Sequence, residues 1–350
     1  MLKDWIKKDV FNQPPYKVKT IPYQIKLNQN ESPWDWPIDI KKNICESIIA
    51  NDWNRYPSLI PIQLKKKIAG INNIDKNAVV IGNGSNEILQ AIFTASIHPK
   101  DKVVVLSPTF AIYKMLAEQK EAIFIESKLN SKFEINPSDI LSKSRNAKLT
   151  IICNPNSPTG SILPLKLIEK IAKNSSGLVV VDEAYVDFSN VTAVNLLSSN
   201  KNLIVTRTFS KAFALAGFRI GYGLMHNDLG LEIQKCLLPF NVDSPSLIAL
   251  NTLLDFPKIV QNRAKKICLE RDRITSKINT ISGFKAFKSY SNFFLVSYKN
   301  YPEKVFNYCA DNGVLIRNLS SYKELKNYNR ITVGTSHENN TLMRILEEMP

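Results

Sequence analysis

The chain has 350 residues, enough to bury a large core and, on size alone, to form two domains. Its make-up, 44% hydrophobic and 22% charged, is ordinary for a globular protein, and no apolar run approaches the roughly 18 residues of a membrane helix. The net charge of +15 raises nucleic-acid binding, but it comes from 36 lysines and only 10 arginines, with no basic block, no RNP-like aromatic pattern and no finger spacing; a lysine-rich surface is the better reading.

In chain order, residues 1–35 are rich in proline (Pro14, Pro15, Pro22, Pro33) and are expected to form an extended arm lying over another surface. The first ten residues contain acids and no hydrophobic region, so no signal peptide is expected and a cytoplasmic location follows by default. Gly82-Asn-Gly-Ser-Asn-Glu87 then precedes a helix-like stretch, Ile88–Ala95. Four short apolar runs follow: Lys102–Leu106, Leu149–Cys153, Leu178–Val181 and Leu203–Val205. Continuous runs of this kind suit strands covered on both faces, as in a parallel sheet, and helix-like stretches such as Pro164–Lys173 lie between them. The alternation predicts an α/β domain over residues 36–240. From about residue 241 a long polar helix-like stretch (Asp255–Ile278) and short alternating runs (Asn292–Tyr298, Arg330–Gly334) predict a smaller α+β domain over 241–350. Five widely spaced cysteines without C-x-x-C, and three distant histidines, predict neither disulfide framework nor metal site.

Each of the four apolar runs ends in an unusual polar cluster, and in such sheets the ligand lies beyond the carboxyl ends of the strands. The coincidence points to one shared pocket. Past the last run, Thr208 and Ser210 lead into Lys211, and Arg219 follows among glycines: groups suited to hold a phosphate and present an amine. Asp182 ends a buried run, where a carboxylate is costly unless paired. The glycine turn at 82–84, with free N–H groups at a helix start, suits an anion.

The segment Ser210-Lys-Ala-Phe-Ala-Leu-Ala-Gly-Phe-Arg219 resembles the cofactor-lysine motif of the pyridoxal-phosphate aminotransferases of fold type I, and most closely their histidinol-phosphate aminotransferase branch. The resemblance covers nearly the whole chain, from Pro14-Pro-Tyr16 and Leu27-Asn-Gln-Asn-Glu-Ser-Pro33 to Val333-Gly-Thr-x-x-Glu-Asn339. It implies pyridoxal 5′-phosphate as cofactor, held as an imine by Lys211, which also moves the substrate α-proton. Asp182 would pair with the pyridine nitrogen, and Tyr185, in Asp-Glu-Ala-Tyr, would bond the cofactor's 3′-oxygen, while Glu183 is structural. Gly84, Ser85, Asn86, Thr208, Ser210 and Arg219 would surround the phosphate, and Phe110 would stack on the ring. Asn154-Pro-Asn-Ser-Pro-Thr-Gly160 departs from the family's P-N-N-P-T-G: the residue before Pro-Thr-Gly is Ser157, so either Asn156 or Ser157 contacts the 3′-oxygen, Asn156 being favoured. Arg55-Tyr-Pro57 resembles the element whose tyrosine reaches the neighbouring subunit's cofactor phosphate, which makes Tyr56 part of a homodimer's site. Arg330 matches the family's carboxylate-clamping arginine, and Tyr16, Asn30, Glu31 and Arg317 are further candidates for the substrate end. The implied reaction passes an amine from histidinol phosphate to 2-oxoglutarate in histidine biosynthesis; a threonine-phosphate decarboxylase, an aromatic amino-acid aminotransferase and a basic RNA-binding module are the alternatives.

Overall fold

The computed structural model describes residues 2–13, 22–299 and 301–350, so Tyr16 lies outside the described residues. Strand β1 (Ile25–Lys26) belongs to the arm. It is followed by β2 (Val79–Gly82), β3 (Lys102–Ser107), β4 (Ile123–Lys128), β5 (Leu149–Cys153), β6 (Leu178–Asp182), β7 (Leu203–Thr208) and β8 (Gly221–Met225). Among the described residues these last seven form one sheet in the order β2-β8-β7-β6-β5-β3-β4. Strands β4, β3, β5, β6 and β7 run parallel; β8 is antiparallel to both its neighbours. The sheet is mostly parallel, as the apolar runs predict.

Both faces are covered. Val103 and Val105 pack in one apolar cluster with Ile88, Ile92 and Tyr113, from helices Gly84–Ser96 and Ile112–Gln119. Val104 and Leu106 point the other way, into a cluster with Ile140, Ile168 and Ile171 from helices Pro137–Ser144 and Leu165–Asn174. Successive residues of one strand thus bury into opposite layers, which is why the strands read as unbroken runs.

The C-terminal region contributes β9 (Phe284–Ala286), β10 (Phe293–Tyr298), β11 (Val314–Leu315), β12 (Arg317–Asn318) and β13 (Asn329–Thr332). Four of these form an antiparallel sheet, β12-β13-β10-β9, flanked by helices Pro257–Ile278 and Ser336–Glu347. The last helix is closed by a capping box in which Thr335 and Glu338 satisfy each other's backbone N–H groups. The arm is tied to this region, because β1 pairs in parallel with β11. Its beginning is not wholly extended: residues Leu2–Trp5 and Lys8–Asn12 form two short helices, in a stretch where no proline bars the turn.

Candidate active site

From β3 the chain passes to β4 on one side, then crosses to β5, β6 and β7 on the other. The reversal opens a crevice at the carboxyl ends of β3 and β5, where α/β sheets bind ligands. A cavity of about 210 Å³ lies there, reached by the loops after β3, β5, β6 and β7 and closed by the arm and the small sheet.

One part of its wall is built for an anion. Beyond β7, Thr208 Oγ1 donates to Ser210 Oγ (3.0 Å), and Arg219 Nη1 donates to the same oxygen (3.2 Å). The helix Gly84–Ser96 starts at Gly84 itself, four residues before the predicted Ile88, so Gly84, Ser85 and Asn86 are its first turn, whose N–H groups have no partner within the helix. Glu87 holds that turn by accepting from the Asn83 N–H and from Asn241 Nδ2, both at 2.6 Å. Gly84 has φ +76°, and a Cβ on it would lie 2.9 Å from Arg219 Nη2. A Cβ on Gly221 would meet the Ser85 nitrogen at 2.2 Å. Only glycines let the turn, the strand and the guanidinium come this close. Helix N-terminus, two hydroxyls and an arginine together suit a phosphate group.

Deeper in, Asp182 is 3% exposed. Burial pushes its carboxyl above the ordinary range, and hydrogen bonds from Tyr113 Oη to Oδ2 (2.6 Å) and from the Ala184 N–H to Oδ1 (3.2 Å) pull it back. Tyr113 is fully buried, with its own ionisation driven far up by burial and by Asp182, so it is a committed donor. Phe110 lines the cavity and meets the Tyr113 ring edge-on at 5.7 Å. Glu183 faces away, paired with Arg207 and accepting from Thr192 and the Ala193 N–H, a structural network as expected.

Lys211 Nζ donates to the Gln29 carbonyl (3.0 Å) and lies 5.9 Å from the Tyr185 ring centre. Withdrawal from water lowers its pKa to about 7; Arg330 and Arg219 push the same way, while Glu31 opposes them. An amine of that acidity has a substantial neutral fraction at physiological pH, about half at pH 7, where an ordinary lysine has almost none, and only the neutral form is a nucleophile.

The remaining candidates fall into two groups. Asn30, Tyr185, Arg317 and Arg330 line the cavity. Arg330 donates to the Asn28 carbonyl (2.8 Å) and to Ser157 Oγ (3.4 Å), with its guanidinium 5.2 Å from the Phe293 ring centre. Arg317 stands opposite it in register on β12. Asn156, Glu31 and Tyr56 do not line it. The Asn156 amide accepts from Thr109 (2.8 Å) and donates to the Pro108 carbonyl (2.9 Å) and Thr159 (2.8 Å), tying the loops after β3 and β5 together. Ser157 takes the place at the wall. Glu31 pairs with Lys26, and Tyr56 is 81% exposed, stacked on Phe240 with 4.5 Å between ring centres. Tyr113 and Ser157 are the wall and support residues that the favoured sequence assignments passed over. Tyr113 follows Phe110 by three residues, but only the fold reveals that its hydroxyl is aimed at Asp182.

Pyridoxal phosphate fits this wall: the phosphate site, a buried carboxylate for a ring nitrogen, an aromatic flank and an amine of lowered pKa are all present.

Residues 22–348 match the family described as aminotransferase class I and II. Curated relatives named histidinol-phosphate aminotransferase include one from Ruminiclostridium cellulolyticum, 32% identical over 98% of this chain and 97% of its own, and one from Chlorobaculum tepidum, 35% identical over 93% and 94%. The fold is that of the histidinol-phosphate aminotransferase of Sinorhizobium meliloti solved with pyridoxal-5′-phosphate (TM-score 0.87, 21% identity, 98% of this chain and 97% of that one). The chain belongs to the class I and II aminotransferases, pyridoxal-phosphate enzymes of fold type I.

Proposed function

We propose that this aminotransferase acts on histidinol phosphate, with 2-oxoglutarate accepting the amine to form glutamate. The observation that carries this is a second cationic group in the one cavity, the Arg317–Arg330 pair on the small sheet, separate from the phosphate site around Arg219 on the large one. A substrate with its own phosphate needs such a second anion site, and the relatives from R. cellulolyticum and C. tepidum carry the corresponding name.

The bound cofactor supplies an electron-withdrawing ring next to the substrate carbon. Asp182 would keep a proton on the ring nitrogen, and Tyr113 and the Ala184 N–H hold that carboxylate in place. Lys211 Nζ, its pKa lowered to about 7, would take the proton from the carbon bearing the substrate amine and return it in the transfer. Ser157 and Tyr185 would hold the ring's hydroxyl oxygen, and the turn at Gly84–Asn86 with Thr208, Ser210 and Arg219 would hold the phosphate. Histidinol phosphate has no α-carboxylate, so Arg330 would bind the substrate phosphate in one half-reaction and the glutamate carboxylate in the other; a guanidinium fork suits both anions. Arg330→Lys should weaken both half-reactions by roughly 1–3 kcal/mol, the size of a lost charge-assisted bond. Stopped-flow absorbance with each substrate reads this. Loss confined to glutamate would refute the shared site and assign the phosphate to Arg317.

A homodimer belongs to the same reading. Ile49, Trp53, Tyr56 and Leu238 are between 73% and 81% exposed, large apolar side chains of the kind that a second copy would bury. Tyr56 is exposed and does not line its own cavity, so a partner's site could receive it. We place the boundaries of arm, large domain and small domain at 35/36 and 240/241. A cytoplasmic setting is part of the proposal, since a doubly charged phosphate monoester does not cross a bilayer unaided; among the described residues no helix is long and apolar enough to span one.

A further inference from the structure

Asn30 sits on the arm, 1% exposed, with φ +57°. Four of its polar contacts are resolved. Its N–H donates to Thr332 Oγ1 (2.9 Å), and its carbonyl accepts from Asn292 Nδ2 (3.0 Å). Its side-chain Oδ1 accepts from Thr332 Oγ1 (3.2 Å), and its Nδ2 donates to Tyr185 Oη (2.9 Å).

The directions of these bonds follow from one another. Thr332 Oγ1 already accepts the Asn30 N–H, so its own proton is free for Asn30 Oδ1. With Oδ1 fixed as acceptor, the other end of the amide, which only donates, must face Tyr185. The Tyr185 oxygen therefore receives a proton from Asn30 and keeps its own to give. The ring edge of Phe293, 5.0 Å between centres, and burial fix the phenol; Ser157 at the cavity wall is the other hydrogen-bonding neighbour of its oxygen, so the proton is directed to the cavity side where Ser157 stands. Asparagine suits this backbone, since it tolerates the left-handed region better than most residues.

We propose that Asn30 is a positioning residue: anchored by Thr332, it donates to Tyr185 and so commits the tyrosine's proton to the ring oxygen of the cofactor. This gives Asn30 a role through Tyr185, and it rests on the pyridoxal-phosphate reading above. A donor to that oxygen stabilises its negative charge and so opposes protonation of the bound cofactor.

The test is a pH titration of the visible absorbance of the holoenzyme. Asn30→Gly removes the amide while leaving the φ +57° backbone accessible. The titration midpoint should rise by about one pH unit, a tenfold change in the protonation equilibrium. Tyr185→Phe should raise it too, and adding Asn30→Gly to Tyr185→Phe should change nothing further. Thr332→Val, which removes the anchor in a similar shape, should give a smaller rise, and it serves if the glycine variant does not fold. An unchanged midpoint in either variant, or an Asn30 effect that persists undiminished without the Tyr185 hydroxyl, would overturn the proposal. Absence of any visible band in the wild-type protein mixed with pyridoxal phosphate would instead overturn the cofactor reading itself.

Discussion

Lys211→Ala should abolish transamination by several orders of magnitude while leaving the fold intact. One side chain serves as both nucleophile and proton carrier, and groups acting as a unit fail together. The loss is not a matter of stability. In the folded chain the Lys211 pKa is near 7 against 10.5 for an ordinary lysine. Between these values the unfolded chain binds more protons than the folded one, so this residue's contribution to stability rises with pH across that window and is least favourable below it. Removing it should therefore leave the cofactor-free protein at least as stable at pH 7, as thermal unfolding would show. For the same reason the wild-type apoprotein should take up cofactor faster as pH rises, levelling off above about pH 7. If the active site is shared between two copies, mixing Lys211→Ala chains with an equally inactive Tyr56 variant should restore part of the activity. Recovery of none, with both variants folded and paired in sedimentation, would count against Tyr56 reaching across.

Asp182→Asn should leave much of the cofactor affinity in place, because the phosphate contacts are untouched, and yet slow proton removal by about 10²–10³-fold, the size of losing one preorganised charge partner. The pH dependence provides a second reading. Burial raises the folded-state pKa of Asp182, so its contribution to stability is present at low pH and lost as pH rises from the ordinary carboxylate range through the raised value. An asparagine avoids that cost, so the apoprotein of the variant should unfold at the same or a higher temperature at pH 7 to 8. Near-normal turnover in this variant would remove the electron-sink role from Asp182.

Much of the site was legible because its chemistry sits where strands stop. The apolar runs ending at Leu106, Cys153, Val181 and Val205 each pass into a loop that reaches the cavity, and continuous burial on two faces made those strands stand out. Strand β8 did not, since Gly-Tyr-Gly-Leu-Met has two glycines and no apolar run; its glycines serve the close approach of the Gly84 turn and of Ile88. Strand β4 lies at the sheet edge, half exposed, so it lacks the unbroken pattern. The Gly84 helix begins before its apolar face does, which is why periodicity placed its start at Ile88. Hydrogen-bond direction was beyond reach: Tyr113 aiming at Asp182, Ser157 rather than Asn156 at the wall, and Asn30 turned toward Tyr185 all depend on contacts between residues distant in the chain.

The most direct test of the central claim is a set of single half-reactions. Purified holoenzyme is mixed separately with histidinol phosphate, glutamate, phenylalanine and O-phosphothreonine, and the loss of the cofactor's visible absorbance is followed. The account predicts rapid bleaching by histidinol phosphate and by glutamate, with recovery on adding 2-oxoglutarate. No reaction with histidinol phosphate, alongside a reaction with phenylalanine or O-phosphothreonine, would contradict it.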